Sequence, residues 1–250
     1  MLVINLINRK MKNIYIILLL ITGTLVSCVN DDTQGVSRIT NYPIITINGS
    51  SDIVLEQGAA YTDGGAVSTE DGNEIPTTTT TSSGTYFGLS FSTDNPDTYT
   101  VTYSAVNADG FSGTALKHII VTPPNGDLVN SIEGTYTAEV SRGTESYTGL
   151  EYIFIKKIGV DEYAISNANA GFYSLGRGYG TDYAALGATI KANNITTNDF
   201  TYTPGYIDPF GLSITISDMQ VDAVNKTISF TNQYNTTTGI FQAILTQVQL

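Results

Sequence analysis

Between Thr98 and Val106 the chain alternates without a break. Tyr99, Val101, Tyr103 and Ala105 fall on one side, and three residues Thr100, Thr102 and Ser104 on the other. A period of two is the signature of a half-buried β-strand. Short runs of this kind recur along the chain, and no stretch longer than about ten residues keeps the 3.6-residue period of a helix. Thr, Tyr, Val, Ile and Gly are abundant while Leu, Lys and Glu are scarce, which is the composition of strands and turns. An all-β fold follows. Cys28 is the only cysteine, so no disulfide can form within the chain and hydrophobic cores alone must hold it.

Two sets of strands are readable. In the first, IITI (44–47) and DIVLE (52–56) are separated by the turn signal Asn48-Gly49-Ser50. Asp63-Gly64-Gly65 and Asp71-Gly72-Asn73 mark further turns, and Pro76 to Ser83 is a Thr/Ser run that reads as an edge strand or a loop. Asn107 to Gly110 turns the chain, Leu116 to Val121 returns it, and Pro123-Pro124 stops it. This bounds a first domain at 42–123. The second, 127–250, opens with Gly134-Thr-Tyr136. It continues through YIFIKKI, DEYAISN, LSITISD, KTISFTNQY and FQAILTQVQL, with a hairpin turn at Val224-Asn225-Lys226. Roughly eight strands predict a closed β-barrel or a second β-sandwich. The proline pair predicts separate cores and a protease-sensitive connection between residues 122 and 130.

The N-terminus carries a different signal. Arg9, Lys10 and Lys12 precede Ile14 to Val26, 13 residues without a charge. A membrane-spanning helix needs roughly 20 apolar residues. A positive start and a short apolar core make a secretory signal over 1–27. Leu25-Val26-Ser27-Cys28 resembles the lipobox of bacterial lipoprotein signals, in which the thiol takes a diacylglyceryl group and cleavage leaves Cys28 as the lipidated first residue. Residues 28–41 are then a polar tether, and Asp31-Asp32 resembles the surface-export signals of Bacteroidetes lipoproteins. Two or three acyl chains anchor stably. The resemblance implies outer-membrane anchoring with the protein facing the cell exterior.

Further resemblances cover both domains. The runs YPIITING, GAAYTDGGA and NPDTYTVTYSAVNADGFSG resemble a bacterial immunoglobulin-like domain of Bacteroidetes surface proteins, with Asn95 to Val101 similar to a tyrosine corner. Gly64 departs from that pattern, which often has proline there. The opening Gly-x-Tyr of the second domain resembles the start of lipocalin-like barrels. The whole arrangement resembles two-domain surface lipoproteins of gut Bacteroidetes, of the kind associated with starch-utilisation-type glycan uptake. That resemblance implies a glycan and an outer-membrane uptake complex as partners.

Charge and residue inventory exclude several functions. Without Arg9, Lys10 and Lys12 the 11 cations fall to eight, against 23 carboxylates, a net charge of −15. Nucleic acid binding needs several phosphate-neutralising cations. His118 is the only histidine and reads as a strand surface residue; there is no Trp and no Ser-x-x-Lys. No catalytic residue, cofactor or metal ligand is expected. Glu70 to Glu74 gathers oxygen side chains but lacks an EF-hand pattern and reads as a solvated turn. The richest stretch is GFYSLGRGYGTDY, Gly171 to Tyr183. Tyr173, Tyr179 and Tyr183, with Arg177 and the later Tyr202 and Tyr206, form a candidate glycan site, because tyrosine offers a flat face and a hydroxyl. The same rings also read as core. Two functions stay open: a non-enzymatic glycan-binding or uptake-accessory lipoprotein, and a structural or adhesive surface protein that meets another protein. The lipobox reading is testable directly. Cys28→Ser should abolish metabolic palmitate labelling, and undiminished labelling would refute lipidation at Cys28.

Overall fold

The computed structural model of the chain describes residues 40–234 and 239–249. The signal segment, Cys28 and the tether up to residue 39 lie outside the described residues. Seven strands build the first part: β1 (Ile44–Ile47), β2 (Asp52–Glu56), β3 (Ala66–Glu70), β4 (Asn73–Ile75), β5 (Thr78–Thr81), β6 (Asp97–Val106) and β7 (Ser112–Thr122). They form two sheets, ordered β1-β3-β4 and β2-β7-β6-β5, with β2 parallel to β7 and the other pairs antiparallel. This is an immunoglobulin-like sandwich.

Its core follows from the alternation of β6. Tyr99, Val101, Tyr103 and Ala105 are buried, and the first three pack with Ile119 and Val121 of β7. The Tyr99 hydroxyl donates to the Asn95 carbonyl at 2.8 Å, closing the tyrosine corner. His118 faces solvent, as its strand position predicts. The Thr/Ser run forms β5, an edge strand with all four residues exposed. The Glu70–Glu74 stretch is the β3–β4 hairpin, and Glu70 Oε2 accepts from the Ala108 amide at 3.1 Å.

One inward position on β7 is charged. Lys117 is 1% exposed, and its Nζ donates to Asp63 Oδ1 at 2.5 Å. The Tyr103 hydroxyl donates to the same carboxylate at 2.6 Å. Burial opposes the charge on Lys117, but its bonds to Asp63 and Tyr103 outweigh burial and push it up to about 12. For Asp63 burial likewise opposes ionisation, and the bonds from Lys117 and Tyr103 prevail to hold it below the usual carboxylate range. Removing Asp63 would leave the buried Lys117 cation without its carboxylate, whereas Asp63, whose side chain is 29% exposed, keeps contact with water.

Nine strands build the second part: β8 (Gly134–Arg142), β9 (Glu145–Gly159), β10 (Glu162–Ile165), β11 (Thr189–Asn194), β12 (Asp199–Thr203), β13 (Gly205–Ile207), β14 (Leu212–Asp222), β15 (Thr227–Tyr234) and β16 (Ile240–Gln247). Each pairs with its sequence neighbour except at one seam, and the last strand pairs with the first, giving the order β12-β11-β10-β9-β8-β16-β15-β14-β13. The result is a nearly closed up-and-down barrel. The seam lies between β12 and β14, where β13 is only three residues long. Side chains bridge it. The Met219 amide donates to the Tyr202 hydroxyl at 3.3 Å, and the Val221 amide to Asn198 Oδ1 at 2.8 Å. Both are backbone donors that a full-length neighbouring strand would have taken.

The barrel interior is filled with side chains. Tyr136, Ile153, Ile155, Tyr163, Ile190, Ile214, Ile216, Phe230 and Phe241 are all at most 2% exposed. The connection from β10 to β11 adds to this filling: Ser166 to Ser174 is buried throughout.

The connection between the two parts is tied down, contrary to the expectation from Pro123-Pro124. Asn125 Nδ2 donates to the Val248 carbonyl at 2.6 Å, and its Oδ1 accepts from the Thr135 amide at 3.2 Å. Gln247 Nε2 donates to the Gly126 carbonyl at 3.0 Å. Asp127 Oδ1 accepts from the amides of Val129 and Asn130 at 2.9 and 2.7 Å. A loop from the sandwich also covers the barrel. Buried Asp97 accepts from the amides of Tyr86 and Phe87 at 2.9 and 2.7 Å, and the Tyr86 ring meets Phe154 of β9 edge-on, centroids 6.2 Å apart. Limited proteolysis should therefore spare residues 123–130. Cleavage there ahead of other sites within 42–249 would show that the tie does not hold.

Candidate functional site

The π turn Phe172–Gly176 lies in the long β10–β11 connection, at the barrel end that also carries the β8–β9 hairpin. Its wide winding is set by backbone bonds from Gly176 to Gly171 (2.9 Å) and from Arg177 to Phe172 (3.0 Å). Such turns cluster at functional sites. Buried Asn167 staples the connection to itself: its Nδ2 donates to Ser174 Oγ at 2.9 Å and its Oδ1 accepts from the Ala185 amide at 3.0 Å. Gly176 is required by crowding, because a Cβ there would fall 2.4 Å from the Tyr147 ring. Gly171, with φ +81°, adopts the left-handed region that glycine occupies without strain.

These constraints assemble a nest of rings. Phe172 packs edge-on against Tyr147, Tyr173 and Phe241, with centroids 5.0–5.2 Å apart. Phe210, at the end of the 3-10 turn Asp208–Phe210, meets Tyr173 and Tyr183, each at 5.0 Å. Tyr179 stacks on Tyr173 at 6.2 Å and meets Tyr183 at 5.2 Å. Arg177 lies 5.2 Å from the centroids of Phe172 and Tyr173 and 6.0 Å from that of Tyr179. A second arginine, Arg142, donates to the Tyr173 hydroxyl at 2.8 Å and lies over Tyr234 and Phe241. The Tyr173 and Tyr234 hydroxyls bond to each other.

The predicted residues thus have different places. Tyr173, Arg177, Tyr179 and Tyr183 come together. Tyr173 is 3% exposed, so it cannot present a ring face to a ligand; it is wedged between the barrel core and Arg142. Arg177 is held by Glu145, its Nε and a terminal nitrogen donating to the two carboxylate oxygens at 2.9 and 2.6 Å. Tyr202 bridges the barrel seam and packs against the core, so it serves closure. Tyr206 is about half exposed, and its backbone exchanges two bonds with Leu186. Tyr179, 48% exposed, and Phe210, 37% exposed, are the rings the cluster offers to solvent. Phe210, Glu145 and Tyr147 were not anticipated. Only Phe210 carried a signal, in the turn Asp208-Pro-Phe-Gly beside the quoted tyrosines.

The Tyr147 hydroxyl donates to the same Glu145 carboxylate that holds Arg177. The arrangement presents two aromatic faces to solvent beside that paired guanidinium. A family profile described as "Bacterial surface protein, Ig-like domain" matches residues 45–121, and one described as a C-terminal domain matches residues 125–247. The chain is thus a two-domain protein, a bacterial-surface immunoglobulin-like domain followed by a barrel-like C-terminal domain. Among solved structures it is similar to the lipoprotein BT2262 from Bacteroides thetaiotaomicron. That similarity has a TM-score of 0.58 and 23% identity over 82% of this chain and all of the other, and it carries the fold. No match was found among curated proteins.

The Glu145–Arg177 clamp has a pH signature. Hydrogen bonds from Arg177 and Tyr147 hold the Glu145 carboxyl at about 2, against its ordinary 4.5. A depressed carboxyl contributes stability that is whole above the unfolded value and lost as pH falls through the folded one. The melting temperatures of wild type and Glu145→Gln should therefore differ above pH 4.5 and converge as pH falls toward about 2. A difference that does not change with pH would show that the clamp is not ionic.

Proposed function

We propose that this protein is a non-enzymatic lipoprotein of the outer membrane, anchored through a lipid on Cys28 and facing the cell exterior. In this reading it binds a glycan with the aromatic end of its barrel, as an accessory to an uptake complex. The observation that carries the reading is the exposure of Tyr179 and Phe210 beside buried Tyr173 and a guanidinium that Glu145 holds in a fork. Stacking on a sugar ring needs an apolar face already fixed in place, since ordering a mobile one on binding would cost affinity. Tyr206 adds an exposed ring on neighbouring β13. The alternative, a protein-binding adhesin, would be favoured by a flat apolar sheet edge; edge β5 is four threonines, whereas edges β1 and β2 expose one large apolar residue each, Ile44 and Val54.

Glycan arrays probed with the full chain, compared with Tyr179→Ala, test the proposal. The variant should weaken binding by about 1–2 kcal/mol, the scale of a truncated hot spot. Its melting temperature should stay near that of wild type. Tyr173→Ala should do the reverse and lose about 3–5 kcal/mol of stability, as for other buried rings. A large drop in melting temperature for Tyr179→Ala, or glycan binding indifferent to it, would overturn the assignment.

A further inference from the structure

Where the sandwich loop meets the barrel, it leaves a groove of about 290 Å³ beside the Tyr86–Phe154 contact. Phe87 and Leu89 form one wall. Lys156 and Ile158, on the outward side of β9, form the other, and Ala164 and Gly187 make a floor of small residues. The walls stay partly open: Leu89 is 44% exposed and Ile158 50%. One charge enters this apolar space. The Lys156 ammonium lies 5.1 Å over the centroid of the Phe87 ring.

That ammonium has no hydrogen-bond acceptor among the described residues, although it carries three donors. The carboxylates whose fields reach it, Asp97 and Glu133, are engaged elsewhere. Asp97 accepts from the amides of Tyr86, Phe87 and Thr98, and Glu133 Oε1 accepts from the Lys157 amide at 2.9 Å. In a chain with 23 acidic and 11 basic residues, a cation held in an apolar groove without an acidic partner is complementary to an incoming anion. Burial lowers the Lys156 ammonium from its ordinary value, so pairing would offset that cost.

We propose that this groove binds a small aromatic carboxylate, its carboxylate on the Lys156 ammonium and its ring between Phe87 and Ile158 over Ala164. The volume stands at the lower end of small-molecule sites, which start at roughly 300 Å³. It suits one or two rings and not an oligosaccharide. The site is separate from the aromatic end of the barrel and does not rest on the glycan reading.

The test uses 2-naphthoate as the probe and its neutral analogue 2-naphthamide as the control, with amide NMR of the full chain. Naphthoate should give saturable shifts at residues 87–89, 156–158 and 187–189. Affinity should fall about tenfold or more for the neutral amide, and equally for naphthoate on Lys156→Gln, since a charge-assisted bond is lost in both. Ala164→Leu should fill the floor and abolish binding of both compounds while the remaining spectrum stays folded. Tyr179→Ala should bind naphthoate like wild type. Absence of saturable shifts, equal affinity for acid and amide, unchanged binding to Lys156→Gln, or shifts confined to the surroundings of Tyr179 would each overturn the proposal.

Discussion

The pairing of β8 with β16 is the constraint on which the barrel depends. It sets Tyr136 to Ser141 against Gln242 to Gln247, residues about a hundred positions apart in the chain. Once first and last strands are hydrogen-bonded, everything between them must run as a continuous meander around one core. The unpaired seam then lies at the other end of the strand order, where β13 is short. There the barrel relies on Tyr202 and Asn198 to accept amides of β14, which is why a tyrosine that reads as a binding residue serves the backbone instead. The same pairing carries β16 past the sandwich–barrel connection, so that Gln247 and Val248 can hold Gly126 and Asn125.

A closed barrel of this size has room for side chains and little else. The β10–β11 connection uses that room at one end. Its first stretch, Ser166 to Ser174, is packed as core, Leu175 to Tyr183 passes over the rim, and Ala184, Ala185 and Ala188 are buried again. Aromatic residues at the changeover serve both environments. Tyr173 is buried yet keeps its hydroxyl satisfied by Arg142 and Tyr234, whereas Tyr179, six residues on, keeps half its surface in water. Arg177 joins the two levels. Its planar cation lies against three rings while Glu145 takes its donors in a fork, a geometry that lysine could not reproduce.

The sandwich is joined to this barrel by a buried carboxylate. Asp97 begins β6, and burial raises its carboxyl above the ordinary range despite three backbone amide donors. It fixes the loop that carries Tyr86 and Phe87 onto β9. The groove beside Lys156 lies between that loop and the small residues Ala164 and Gly187. The two parts therefore share a surface while keeping separate cores.

Much of the architecture was legible in the residues. Alternation located β6, short apolar runs bounded by turn signals located β1, β2 and the second half of β7, and the Asn95 to Val101 motif located the tyrosine corner, because strand period and turn chemistry are local properties. The runs that became β9, β14, β15 and β16 were likewise visible, and so was the all-β class. What was not visible is long-range. TIKANN and DFTYT, which are β11 and β12, keep the period-two pattern for only a few residues, a span too short to mark a strand without the neighbours that barrel closure supplies. Lys117 lies on the inward phase of β7, but only folding brings Asp63, 54 residues away, to pair with it. Pro123-Pro124 falls between the two strand sets, yet the tie from neighbouring Asn125 to Val248 spans the whole barrel and leaves no local trace. The cluster in Gly171 to Tyr183 shows the division most sharply. Its density of rings and glycines was plain from the chain alone, but which ring faces the core and which faces water depends on where a neighbouring hairpin places Glu145 and Tyr147. Sequence sets the local period and the chemistry on offer; burial is decided by partners that only tertiary structure supplies.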